Sequence, residues 1–164
     1  MTIVGLVVTG TPLAGRAVAV ADTLSAQSHG VAMLASAAAR AWVPDVPTWL
    51  NPPSGRWVPS AVVVCPATFN TINAVASGLN HSDLLGVINE ALVRSTPMLF
   101  VSTTAERMTR HPAWQRSVDT LTEAGVNWLD PQTGDHRPGI VPDGSASRVC
   151  EKFDPAWVTD WLER

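Results

Sequence analysis

Val62-Val63-Val64-Cys65-Pro66-Ala67-Thr68-Phe69-Asn70-Thr71-Ile72-Asn73 is the most informative stretch of the 164 residues. Its first four residues are apolar and mostly β-branched, the pattern of a strand covered on both faces by helices. Pro66 has no N–H to give to a ladder and reads as a sharp stop to that strand. A helix is expected from near Thr68. The junction carries Thr68, Asn70 and Thr71. In open parallel sheets, ligands lie just outside the carboxyl ends of the strands, so these hydroxyl and amide groups are expected where a ligand would sit.

The same alternation repeats on either side. Ile3-Val4-Gly5-Leu6-Val7-Val8 is another continuous apolar run, and Thr9-Gly10-Thr11-Pro12 follows it. Thr11 suits a helix N-cap and Pro12 the first helical position, which predicts a helix from about Leu13 to Gln27. Val31-Ala32-Met33-Leu34-Ala35 reads as the second strand, and a short helix ends near Trp42. Beyond the junction, one helix runs from Thr68 to Ser77 with Gly78 as its stop, and another runs from Ser82-Asp83 to about Arg94. Met98-Leu99-Phe100-Val101 is the fourth strand. His111-Pro112 opens a helix to Ala124, with Gly125 as its stop, before the fifth strand, Val126-Asn127-Trp128-Leu129. Residues 130–147 form a Gly/Pro/Asp-rich loop, and Asp154-Pro155 starts a last helix to Leu162. This alternation predicts one α/β domain over residues 1–164, a doubly wound parallel sheet with helices on both faces. Residues 43–59 break the pattern. Pro44, Pro47, Pro52, Pro53 and Pro59 exclude a regular helix or central strand there, and the segment, with Trp49 and Trp57, suits either contact with a neighbouring subunit or a crossover loop folded on its own domain.

Hydrophobic residues make up 46% of the chain and charged residues only 15%, so part of the surface is expected to be covered by other subunits. A formal net charge of −3 without a Lys/Arg cluster argues against nucleic acid. The apolar runs are too short to span a bilayer, and no basic segment precedes Ile3 to suggest export. The two cysteines, Cys65 and Cys150, make no metal or disulfide pattern, and Cys65 reads as a small buried filler. A reduced, cytoplasmic setting is expected. No His pair has metal-ligand spacing with further ligands, and no G-x-S-x-G nucleophile motif is present.

Candidate chemistry sits at the strand ends: Thr9-Gly10-Thr11, Ser36, Thr68-Asn70-Thr71 and Ser102-Thr103-Thr104. The Gly10-Thr11-Pro12 turn opens a helix whose free N–H groups favour an anion. Gly10 permits close backbone approach, and Thr11 and Ser36 can donate hydroxyl hydrogen bonds. This is either a phosphate site or simple capping by Thr11. It is neither a dinucleotide fingerprint nor a P-loop, since G-x-G-x-x-G and the G-K-[ST] ending are both absent.

Taken together, these segments resemble the homo-oligomeric flavin-containing cysteine decarboxylases. Pro66-Ala67-Thr68-Phe69-Asn70-Thr71 resembles their Pro-Ala-Ser-Ala-Asn-Thr signature. Thr9-Gly10-Thr11 resembles their first-strand Thr-Gly-Ser turn, and Ser36 falls where they carry a phosphate-binding Ser. Residues 76–85 resemble their Ala-x-Gly-x-x-x-Asn-Leu-Leu segment. Met108, His111-Pro112-Ala113, Leu121 and Gly125 resemble their Met-Trp-x-x-Pro-Ala…Leu…Gly pattern, and residues 130–134 their next turn. The resemblance implies a Rossmann-like, flavodoxin-like fold that binds FMN through Thr9, Gly10, Thr11, Ser36, Pro66, Ala67, Thr68, Thr71 and Ser102. It makes Asn70 the catalytic, substrate-orienting residue. Residues 130–150 become either a flexible flap over the substrate, with Arg148 and Cys150 facing it, or a surface loop in which Cys150 is an ordinary buried cysteine. It also implies a small thiol or a cysteine-containing peptide as substrate, and self-association as a homotrimer or homododecamer.

Two departures stand beside the likeness. The family's catalytic His precedes the third strand, and here no His lies between His29 and His81. The family's Pro-x-Met-Asn motif falls at Ser102-Thr103-Thr104-Ala105, with Ala105 in place of the Asn. The alternative reading is a non-catalytic relative that serves as a regulatory or scaffold subunit.

Overall fold

The computed structural model describes residues 2–43 and 58–164. Trp49, Trp57 and the prolines from Pro44 to Pro53 lie outside the described residues. In chain order the strands are β1 (Ile3–Val8), β2 (Gly30–Ala35), β3 (Ala61–Ala67), β4 (Met98–Ser102), β5 (Thr104–Ala105), β6 (Val126–Leu129) and β7 (Ile140–Val141). The helices are α1 (Ala17–Ala26), α2 (Phe69–Ala76), α3 (Asp83–Val93), α4 (Ala113–Glu123), α5 (Ala146–Lys152) and α6 (Ala156–Leu162).

Five strands form one parallel sheet in the order β2-β1-β3-β4-β6. Strand alternation sends successive side chains to opposite faces. Val4, Leu6, Val8, Val63, Cys65, Leu99, Val101 and Leu129 enter one core with α1 and α6. Val7, Val62, Val64, Met98, Phe100, Val126 and Trp128 enter the other with α2, α3 and α4. The predicted doubly wound α/β sheet with helices on both faces is therefore the observed fold. No helix among the described residues is long and apolar enough to cross a membrane.

Short-range signals hold well. Gly78 and Gly125 end their helices with φ of +70° and +93°, a region that glycine enters without steric cost. Ser82 caps α3, accepting from the Leu85 N–H at 3.3 Å. Asp154 Oδ1 accepts from the Ala156 N–H at 2.9 Å at the start of α6.

Several boundaries differ from expectation. β3 does not stop before Pro66 but continues to Ala67. Its pairing with β4 shifts register between Val64 and Ala67, as fits a residue with no N–H to donate. The helix expected from Leu13 begins as a 3₁₀ turn, Pro12–Arg16, and becomes α-helical only at Ala17. Residues 130–147 are not all loop: β7 pairs in parallel with β5, and α5 starts at Ala146. Arg148 and Cys150 thus lie on a helix.

Candidate functional site at the carboxyl edge of the sheet

The chain order reverses between β1 and β3, since β2 flanks β1 on one side and β3 flanks it on the other. This is the topological switch point of a doubly wound sheet, where crevices form at the carboxyl ends. The ends of β1, β2, β3 and β4 bring most of the predicted hydroxyl groups to one edge.

The hydroxyls divide into spent and available groups. Thr9 is buried, and its Oγ1 donates to the Pro66 carbonyl at 2.7 Å. Ser102 is fully buried, and its Oγ donates to the Gly139 carbonyl at 2.8 Å. Pro66 and Ala67 are buried between these ties. These four residues hold the floor of the crevice together. Thr11 occupies the N-cap position of its 3₁₀ turn without making a side-chain cap, and its partly exposed hydroxyl instead faces Thr103 Oγ1 at 3.4 Å. Gly10 is required by contact: a Cβ there would meet the Ala38 Cβ at 2.5 Å, so the loops after β1 and β2 pack tightly together. Ser36 Oγ accepts from the Ala39 N–H at 3.2 Å. Thr68 Oγ1 accepts from the Thr71 N–H at 3.2 Å and donates to Thr71 Oγ1 at 3.1 Å. That cap starts α2 and leaves Asn70 exposed in its first turn. Phe69, beside Asn70, meets the His111 ring in a T-shaped arrangement at 5.7 Å and stacks on Trp114 at 6.5 Å.

A cleft of about 190 Å³ adjoins this edge, lined in part by Thr11, Leu13, Thr103, Arg107, Asp143 and Val149. Arg148 is exposed and does not line it. Cys150 packs partly buried against the core of α1 and α6. Burial pushes its thiol pKa up, and nearby Arg16 only partly offsets this. Cys150 is therefore not poised as a thiolate nucleophile. Cys65 is fully buried, and burial, reinforced by Cys150, pushes its thiol from 9.0 to about 12. It behaves as the core filler its sequence suggested. Thr104 Oγ1 is buried without a hydrogen-bond partner among the described residues.

Sequence reading missed Arg107 and Asp143. They lie 36 residues apart in the chain, and the parallel pairing of Thr104 with Ile140 and of Ala105 with Val141 brings their segments together. No local signal marks such a pair. Among the described residues no cluster of His, Cys, Asp and Glu is suited to a metal ion.

A profile of the Flavoprotein family matches residues 50–143, from the segment before β3 through β7. The chain belongs to the flavoprotein family. It is 31% identical over 95 residues to the coenzyme A biosynthesis bifunctional protein CoaBC of Thermococcus kodakarensis, an alignment covering 57% of this chain. The chain spans 23% of the length of that relative. Among solved structures it is similar to a PPC decarboxylase mutant complexed with pantothenoylaminoethenethiol: TM-score 0.74, 15% identity, covering 99% of this chain and 96% of that one. It is also similar to a dodecameric FMN-dependent Ubix-like decarboxylase from Escherichia coli O157:H7: TM-score 0.69, 13% identity, covering 98% of this chain and 92% of that one.

Proposed function

We propose that this flavoprotein binds FMN at the carboxyl edge of its sheet and uses it on a small thiol or a cysteine-containing peptide. The observation that carries this reading is the β1/β3 switch point of the sheet, with Gly10, Thr11, Ser36 and Thr68 in the segments that follow the carboxyl ends of β1, β2 and β3. These residues fit a phosphate monoester: partly exposed hydroxyls lie beside the start of a helix, whose N–H groups favour an anion. Thr9, Pro66, Ala67 and Ser102 support the crevice from beneath, and Thr71 fixes the cap beside it.

When bound, the flavin supplies two-electron oxidation of the substrate thiol carbon. Asn70 presents an exposed amide beside that site and is suited to orient a carboxylate through its N–H groups. Residues between Val141 and Val149 line one side of the adjoining cleft. The low share of charged residues and the exposed Trp42 and Leu79 support self-association, as a homotrimer or homododecamer in a cytoplasmic setting. The E. coli relative named above is described as dodecameric and FMN-dependent.

The visible absorbance spectrum of the purified protein, with mass spectrometry of the released ligand, tests the reading. Bound FMN is expected, and the double variant Thr11→Ala, Ser36→Ala is expected to lose most of it while melting as a folded protein. A colourless protein that also refuses added FMN sinks the proposal. The absence of His between His29 and His81, with Ala105 at the fourth motif position, favours a second reading, a non-catalytic subunit. A colourless protein that co-purifies with an active flavoprotein is its expected signature.

A further inference from the structure

The first turn of α2, which carries the exposed Asn70, is held from one side by α4. Asn73, one turn further along, donates from Nδ2 to the Phe69 carbonyl at 2.9 Å. Its Oδ1 accepts from Ser117 Oγ on α4 at 2.7 Å, so both ends of the amide are engaged. Ser117 is buried, at 6% exposure, and lies 44 residues away in the chain. Trp114 and Ser117, three residues apart, share one face of α4. The Phe69 ring stacks on Trp114 and meets His111 in a T-shaped arrangement. His111 Nδ1 accepts from the Ala113 N–H at 3.1 Å, which ties that residue to the start of α4. Phe69 stands where the Pro-Ala-Ser-Ala-Asn-Thr signature carries Ala, and its ring gives α4 a second hold on the same turn.

The rest of the α2–α4 contact is apolar: Ile72, Val75, Trp114, Val118 and Leu121 share one core. Apolar cores of suitable volume lose a unique arrangement before they lose stability. A buried polar network removes that freedom, because another arrangement leaves its groups unpaired. Such hydrogen bonds add little net stability, so the Ser117–Asn73 bond serves register more than strength. The turn it registers is the one that carries Asn70. One residue of slip rotates a helical side chain by about 100°, and a fraction of that swings the Asn70 amide away from a ligand at the sheet edge.

We propose that Asn73 and Ser117 are positioning residues, through which α4 sets the orientation of the Asn70 turn against bound flavin. The ligand rests on the proposed function; the clamp rests on the α2–α4 contact. The deciding variant exchanges both polar partners for apolar groups, Asn73→Leu with Ser117→Ala. Removing both together is close to neutral for stability, so this pair is expected to melt near the wild-type temperature. Its FMN affinity, read by quenching of flavin fluorescence, is expected to fall about tenfold. Residues that served stability alone would leave affinity unchanged in a protein that melts as wild type. Asn70→Ala is expected to weaken FMN binding by about tenfold, and adding it to the pair to cost nothing further, since both act through one turn. Amide hydrogen exchange, read without flavin, is expected to be about fivefold faster at residues 71–73 of the pair than in wild type. Wild-type FMN affinity in the pair or in Asn70→Ala, losses that multiply in the triple variant, or affinity that falls only in step with melting temperature overturns the inference. A wild-type protein that takes up no FMN overturns the proposed function alone, and unchanged exchange at residues 71–73 overturns the clamp alone.

Discussion

Thr9, Ser102 and Thr11 carry the same functional group and end in different situations. Two are buried and donate to backbone carbonyls, while the third is partly exposed in the lining of a cleft. Their sequence marked hydroxyls at strand ends but not which would be consumed, because each acceptor lies at least 37 residues away in the chain. Cys65 was legible, since a thiol inside an apolar run is expected to be buried. Its raised pKa carries a pH consequence. The unfolded thiol ionises near 9 and the folded one only at about 12, so above pH 9 the unfolded state binds fewer protons. The stability supplied by the neutral buried thiol is complete below pH 9 and is lost as pH rises towards 12. Denaturant titrations between pH 8 and pH 10.5 are expected to show a steeper decline for wild type than for Cys65→Ala, by up to about 1.4 kcal/mol per pH unit. Identical slopes would mean that Cys65 is less enclosed than described.

Helix ends were read correctly where one residue and its near neighbours set them. Ser82 and Asp154 cap, and Gly78 and Gly125 stop, because each acts over two to four residues of chain. Ser82→Ala is expected to cost about 1 kcal/mol by loss of the cap to Leu85. Chemical denaturation checks this. The elements that escaped notice are β5, β7 and α5. Two-residue strands carry no periodicity, and α5 follows a Gly/Pro/Asp-rich segment whose composition reads as loop. β3 also ran past Pro66, because a proline in a central strand is tolerated where the ladder shifts register.

Across the molecule, the 130–150 segment is tied down at a few points. Gly139 accepts from Ser102, Arg137 pairs with Asp130 at 3.0 Å, and α5 packs on the Pro12–Arg16 turn. Ser102→Ala removes the hydroxyl that donates to the buried Gly139 carbonyl and is expected to cost about 1 kcal/mol. Limited proteolysis is expected to cut within residues 130–150 faster than in wild type, and an unchanged cleavage rate would show that the tie is dispensable. The number of main-sheet strands and their positions along the chain, the two buried faces and the hydroxyl-bearing strand ends follow from local pattern, because burial on both faces demands continuous apolar runs and helix entry demands capping residues. The strand order β2-β1-β3-β4-β6, the Thr9 and Ser102 ties and the Arg107–Asp143 pair at the cleft depend on contacts between distant segments. Those contacts form only once the sheet has closed its hydrogen bonds and brought the carboxyl ends of its strands to one edge.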